Sequence, residues 1–149
     1  MRYFTIHELT NSPTAARLGI RNEPSAEEIV ALTELANNVL DPARSRFGRP
    51  VMVTSGYRSP ALNRAVGGAA NSQHSKGEAA DLSTGSAKGN GRLARIIFEQ
   101  GMFDQLILEN ATSDGTQCDW VHVSYAKTGN RRQTLIKCRG CKGYKAFGF

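Results

Sequence analysis

The chain has 149 residues, 40% apolar and 21% charged, which fits one globular domain with a real core. No apolar run reaches the length that spans a bilayer, and the opening residues, Met1 to Glu8, contain no apolar secretory segment. The formal net charge of +6 favours polyanionic partners, nucleic acid or an anionic cell wall, without choosing between them.

In chain order, Asn11-Ser12-Pro13 signals a turn, and Thr14 to Leu18 is predicted as a short helix that Gly19 and Asn22 break. The clearest helix opens at Pro24-Ser25-Ala26-Glu27-Glu28, where Ser25 and Glu28 have the spacing of a capping box. Ile29, Leu32, Leu35, Ala36, Val39, Leu40 and Ala43 then form one apolar face. Pro42 should kink this helix, or end it and start another turn. Pro50 to Ser55, rich in Val and Thr, reads as a strand that delivers Gly56-Tyr57-Arg58 at its end. Ser59-Pro60 starts a short helix over 61–66, and Gly67 to Asn71 is a loop with neither a dinucleotide fingerprint nor a Walker lysine.

Next comes Ser72-Gln-His-Ser-Lys-Gly-Glu-Ala-Ala-Asp81. It reads as a loop carrying His74, a turn at Gly77, and a short strand carrying Asp81 back towards the histidine. Ser83 to Asn90 is predicted as loop, Gly91 to Gln100 as helix, Gln105 to Leu108 as strand and Asn110 to Gln117 as a polar turn. Trp120 to Tyr125 is a strand bearing His122, and Gln133 to Lys137 is its expected hairpin partner. There is no repeat, no linker and no regular βαβ alternation, so the fold class is α+β in a single domain spanning residues 1–149.

His74, Asp81 and His122 are two imidazoles and one carboxylate. That set leaves a fourth position open, the donor pattern of a catalytic zinc site rather than a structural one. Singly, each has a plainer reading: a loop histidine, a turn or cap aspartate, a core histidine. The combination carries more weight because the chain has only three histidines. The third, His7, belongs with the amino-terminal scaffold.

The run Ser72-x-His74-x-x-Gly77-x-Ala79-x-Asp81, followed by Asp119-Trp120-Val121-His122, resembles the signature of zinc-dependent murein peptidases. That family includes D-alanyl-D-alanine carboxypeptidases, vancomycin-resistance D,D-dipeptidases and phage L-alanyl-D-glutamate endolysins, and shares its fold with the zinc domain of hedgehog proteins. Ser55-Gly-Tyr-Arg-Ser-Pro60, Asn63, Gly67-Gly68 and Phe103-Asp-Gln-Leu-Ile-Leu-Glu109 match further blocks in family order. The resemblance covers roughly Phe4 to Leu135 and leaves a basic, cysteine-containing tail over 136–149.

The resemblance implies a hedgehog/DD-peptidase-like fold, a small, mostly antiparallel sheet with helices packed on one side. It implies one Zn2+ held by His74, Asp81 and His122. Asp119 matches the family's general base, and Arg58 the arginine that faces the metal. Arg58 would either stabilise the oxyanion on the scissile carbonyl or hold a substrate carboxylate. Ser72 and Gln73 are expected to bind substrate, Glu109 and Gln105 to orient a ligand histidine, and Tyr57 and Trp120 to pack. The implied partner is a peptidoglycan stem peptide cut by a monomeric enzyme of carboxypeptidase or endopeptidase type, such as a phage or prophage endolysin. With no signal segment, it would be made in the cytoplasm and act on the wall after release or delivery. Nucleic-acid binding and membrane insertion are not expected.

Two rival readings stand beside this one. A non-catalytic zinc-containing wall-binding module of the same fold would not need Asp119 and Arg58. A nucleic-acid-binding domain rests on charge alone. The late basic residues Lys127, Arg131, Arg132, Lys137, Arg139, Lys142 and Lys145 read either as a solvated face or as a substrate-steering patch. Cys138-x-x-Cys141 is half of a zinc-ribbon pattern without its second half. A disulfide or redox pair is open, with plain thiols as the favoured reading.

Overall fold

The computed structural model describes all residues, 1–149. Helices α1 (Ile6–Thr10) and α2 (Pro13–Leu18) lead into α3 (Ala26–Leu35) and α4 (Asp41–Phe47). Strand β1 (Met52–Ser55), helix α5 (Pro60–Ala65), strand β2 (Ala79–Ser83) and helix α6 (Ala87–Gln100) follow. Strands β3 (Gln105–Ala111), β4 (Trp120–Ser124), β5 (Gln133–Cys138) and β6 (Lys145–Ala146) complete the chain. No helix is long and apolar enough to cross a membrane.

The capping box forms as the sequence predicts. Glu28 N–H donates to Ser25 Oγ at 3.2 Å, and Ser25 N–H donates to Glu28 Oε1 at 2.8 Å. Pro42 falls in the first turn of a new helix, α4, as one of the two expected outcomes. It has no N–H to offer the carbonyl four residues back, and the backbone widens into a π turn over Ala36–Leu40 just before it. Asp41 N–H reaches Ala36 O across that turn. The carboxylate of Asp41 accepts from the Arg2 and Tyr3 amides and docks the amino terminus there.

Helix α6 starts earlier than its composition predicts. Lys88-Gly-Asn-Gly91 is a poor helix former, yet Ser86 Oγ caps Gly89 N–H at 3.0 Å. Asn90 is buried and donates to the carbonyls of Cys118 and Asp119 at 3.0 and 2.9 Å. Tertiary hydrogen bonds hold this turn where propensity alone would not.

The sheet runs β1-β2-β4-β3-β5-β6. It is mixed, not the mostly antiparallel sheet expected, because β3 and β5 run parallel. The expected β4–β5 hairpin does not form. β4 is central, with β2 on one edge and β3 on the other, so it has no free edge to offer. A strand that turns back after β4 lies antiparallel to it, hence parallel to β3, whose outer edge is open. β6 then pairs with β5, so the last residues belong to the sheet.

Alternation along the strands separates two faces. Ala80 and Leu82 of β2, Leu106 and Leu108 of β3, and Val121 and Val123 of β4 join one core with residues of α3, α4 and α6. The other face of the same strands carries Asp81, Ile107, Glu109 and His122. Helices therefore seal one side of the sheet and leave the other for chemistry.

Gly56 shows why the segment after β1 tolerates no side chain. Tyr57 N–H donates to Leu9 O at 2.7 Å, and a Cβ on Gly56 would lie 2.1 Å from that same oxygen. Gly56→Ala must push α1 away from the sheet. The expected cost is about 1–3 kcal/mol, typical of overpacking, read from urea unfolding. Gly148→Ala has no atom within 4 Å of its new methyl group and should change stability by less than about 0.5 kcal/mol.

Candidate metal centre

The three proposed ligands meet because of register. Asp81 on β2 lies directly opposite His122 on β4, which brings His122 Nδ1 to 3.1 Å from Asp81 Oδ1. His74 comes from a 3-10 turn, Gln73–Lys76, that precedes β2. The turn is started by Ser72, whose Oγ accepts from His74 N–H at 3.2 Å. It is closed by Gly77 at φ 72°, where a Cβ would collide with Glu28 O at 2.5 Å. The chain thus reverses in a space only glycine fits, and His74 Nε2 arrives 3.4 Å from Asp81 Oδ1.

The donor set fits a metal ion. His74 Nδ1 lies 2.8 Å from Gly56 O in the buried interior. A carbonyl can only accept, so Nδ1 carries the proton and Nε2 turns its lone pair towards Asp81. One donor atom from each of His74, Asp81 and His122 falls within 4.8 Å of the others. Ligand atoms about 2.0–2.1 Å from a tetrahedral zinc are separated by about 3.3 Å, close to the spacings between Asp81 and the two imidazoles. Burial pushes the Asp81 carboxyl up, but His122 and His74, when protonated, outweigh it by hydrogen bonds and charge and hold it below the usual carboxylate range; a bound cation would do the same beside neutral imidazoles. It is ionised, as a ligand must be.

Arg58 faces this cluster, with Nη2 3.5 Å from Asp81 Oδ2. Its guanidinium is steadied by Ser55 Oγ at 3.1 Å and Asn63 Oδ1 at 3.3 Å. The loop that carries it is tied down by Asn22, which accepts from Ser59 N–H at 2.7 Å and donates to Tyr57 O at 3.0 Å. Asn22 reads in sequence only as a helix breaker; its partners lie 35 and 37 residues away, beyond any local signal.

An open cleft of about 570 Å³ surrounds the cluster. Arg58, Ser72, Gln73, Gln105 and Glu109 line it, as do Lys76, Arg131 and Tyr144. The last three are not among the residues that sequence reasoning assigned to the site. Gln73 donates to the carboxylate of Asp104 at 2.9 Å, and Gln105 donates to Gln133 Oε1 at 2.8 Å. Glu109 accepts from the Tyr144 hydroxyl at 3.2 Å. Burial pushes the Glu109 carboxyl up, and the Tyr144 bond and the His122 charge partly offset this.

Asp119 stands apart from the cleft. Its backbone N–H donates to Glu109 O at 3.0 Å in the bend that precedes β4. Its half-exposed carboxylate accepts from Asn110 and from Arg139 Nη2 at 3.2 Å. The Asn110 bond, with Arg139 beside it, holds that carboxyl below its ordinary value. None of the three cysteines joins the cluster: Cys118 is buried, and Cys138 and Cys141 are free thiols.

The family model for peptidase M15 matches residues 2–124. The chain belongs to the peptidase M15 family. Its members are zinc-dependent murein peptidases, in keeping with the motifs around His74, Asp81 and His122. No curated protein matches the chain. The matched residues contain all three clustered ligands, Arg58, Glu109 and Asp119; Arg131 and Tyr144 lie beyond them.

Metal analysis of the purified chain is expected to find one divalent ion per molecule. His74→Ala and His122→Ala should each lower that content sharply. The Cys138→Ser, Cys141→Ser double variant should keep it. Full metal content in both histidine variants would remove these residues from the site.

Proposed function

We propose that this protein is a zinc peptidase that hydrolyses a peptide bond in bacterial peptidoglycan stem peptides, of the carboxypeptidase or endopeptidase type found in phage or prophage endolysins. The observation that carries the reading is convergence. Two imidazoles and a carboxylate meet on the face of the sheet opposite the core, with the guanidinium of Arg58 beside them and the carboxylate of Glu109 in the same cleft. A module that only binds has no use for a poised guanidinium and a half-buried acid in the cleft of a metal site.

His74, Asp81 and His122 would hold the ion. Zinc in such a site acts as a Lewis acid that activates water and polarises a carbonyl. The remaining work falls to the protein. Arg58 offers N–H groups to the oxygen that becomes negative as water adds to the scissile carbonyl carbon. An ionised carboxylate must take one proton from the attacking water as a base and, as the resulting acid, deliver it to the leaving nitrogen as the C–N bond breaks.

Two acids compete for that role. Asp119 is the one the family resemblance implies. Glu109 is the one supported by geometry. It lies two residues from Ile107, which sits directly opposite His122, so alternation puts Glu109 on the metal face. Asp119 sits in the bend before β4, and its carboxylate is engaged by Asn110 and Arg139. The Tyr144 hydroxyl holds the Glu109 carboxylate in place. We therefore assign proton transfer to Glu109, with Asp119 as the alternative.

The experiment measures new amino groups released from purified peptidoglycan, beside zinc content. Glu109→Gln should keep its zinc and lose about a hundredfold to ten-thousandfold in rate, the usual contribution of a general acid–base group. Asp119→Asn should stay within about tenfold of wild type, because it disturbs only an exposed ion pair. Arg58→Ala should keep zinc and lose rate. The reverse pattern, an inactive Asp119→Asn beside an active Glu109→Gln, would return the role to Asp119. If wild type loaded with zinc releases nothing from walls of several stem-peptide types, the peptidase reading fails and the wall-binding module takes its place.

A further inference from the structure

Asp104 is 3% exposed, yet it is a carboxylate with no catalytic assignment. It accepts from Arg131 backbone N–H at 2.9 Å, from Arg131 Nε at 3.0 Å, from Arg131 Nη2 at 2.8 Å and from Gln73 Nε2 at 2.9 Å. The Arg131 hydrogen bonds outweigh burial and pull its carboxyl down to about 2, so it is an anion throughout the neutral range. Its backbone N–H donates to Ser124 O at 2.8 Å, two residues past His122, and Gln73 directly precedes His74. Asp104 is thus bolted to the neighbours of two metal ligands.

Arg131 is the exposed end of this network. Its side chain is 56% exposed and lines the metal cleft. Nε and Nη2 are spent on Asp104, while Nη1 has no partner within the protein. A guanidinium gripped along one edge keeps the other edge of its planar fork aimed and free. The ordering cost of a flexible arginine is then met on folding, not on binding. Lys76, on the same 3-10 turn as His74, lines the cleft as well and has no carboxylate within ion-pair distance. Apart from Asp81, the only acid lining the cleft is Glu109.

We propose that Arg131, held by Asp104, is a carboxylate receptor of the cleft, which makes the protein select peptides bearing a free carboxylate close to the scissile bond. The inference rests on the peptidase reading for its substrate. It does not follow from the family match, which ends at residue 124. A stem peptide offers two such groups, the α-carboxylate of its γ-linked glutamyl residue and its carboxyl terminus. Each can be replaced by an amide of the same shape without charge.

The probes are the pentapeptide L-Ala-γ-D-Glu-L-Lys-D-Ala-D-Ala and two analogues, one amidated at the glutamyl α-carboxylate and one at the carboxyl terminus. Binding to the full-length chain, stripped of metal so that no bond is cut, is read by calorimetry. Wild type should bind the acid form more tightly than one of the amides by about tenfold to a hundredfold, the range for a charge-assisted hydrogen bond. The amide that loses affinity identifies the carboxylate. Arg131→Gln should erase that preference by weakening the acid form alone. Arg131→Lys keeps a charge opposite Asp104 without the fork and should erase most of it, which decides the matter if the glutamine variant does not fold. With the zinc-loaded chain, the same preference should appear in KM and not in kcat. Equal weakening of acid and amide forms by Arg131→Gln, or no preference in wild type, would make the pair a structural tie and overturn the proposal. Because binding is read without turnover, a protein that binds selectively but cuts nothing would sink the peptidase reading and spare this one.

Discussion

The hydrogen bond from His74 Nδ1–H to Gly56 O does three jobs at once. It satisfies a buried ring nitrogen that would otherwise cost about 1–3 kcal/mol. It sets the tautomer, so that Nε2 is free to ligate. It also joins the end of β1 to the 3-10 turn before β2, a junction doubled by Arg58 N–H donating to His74 O at 3.1 Å. Arg58 and His74 are therefore placed by the same few backbone atoms, and displacing either moves the other. The glycine at 56 is part of this constraint, because α1 presses against it from the far side.

Around that junction the charges are arranged in opposed pairs. Asp81 is surrounded by His74, His122 and Arg58, and a cation bound between the imidazoles would share its charge. Asp104 is matched by Arg131. Glu109 has only a phenol hydroxyl, and burial raises its carboxyl, so of the acids in the cleft it is the one least committed to a cation.

The carboxyl-terminal segment does more than carry charge. β5 adds to the open edge of β3 and β6 adds to β5, which brings Tyr144 against Glu109. Phe147 and Phe149 meet edge to face, and Phe149 meets Phe98 of α6 at 5.1 Å between ring centres. Of the late basic residues, Arg131 and Arg139 are engaged with Asp104 and Asp119. The cluster is thus partly a set of specific ion pairs, not one uniform solvated or steering face.

Local chemistry determined a good part of this protein. The Ser25–Glu28 box, the strand before Gly56 and the turn at Gly77 are readable from neighbouring residues, because caps and turns depend on short spacings, and the His-Asp-His set is readable from its ligand types and its motif match. The family could be read from the same motifs. Tertiary structure decided the rest, for two physical reasons. Which edge a strand joins depends on which edges are already taken, so β5 went to β3 and not to β4. Which face a side chain occupies depends on strand phase and register, so Glu109, on a neighbouring strand, shares the face of His122. Arg131, Tyr144 and Asn22 reach the site through partners dozens of residues distant, and such contacts leave no periodicity in the sequence to find.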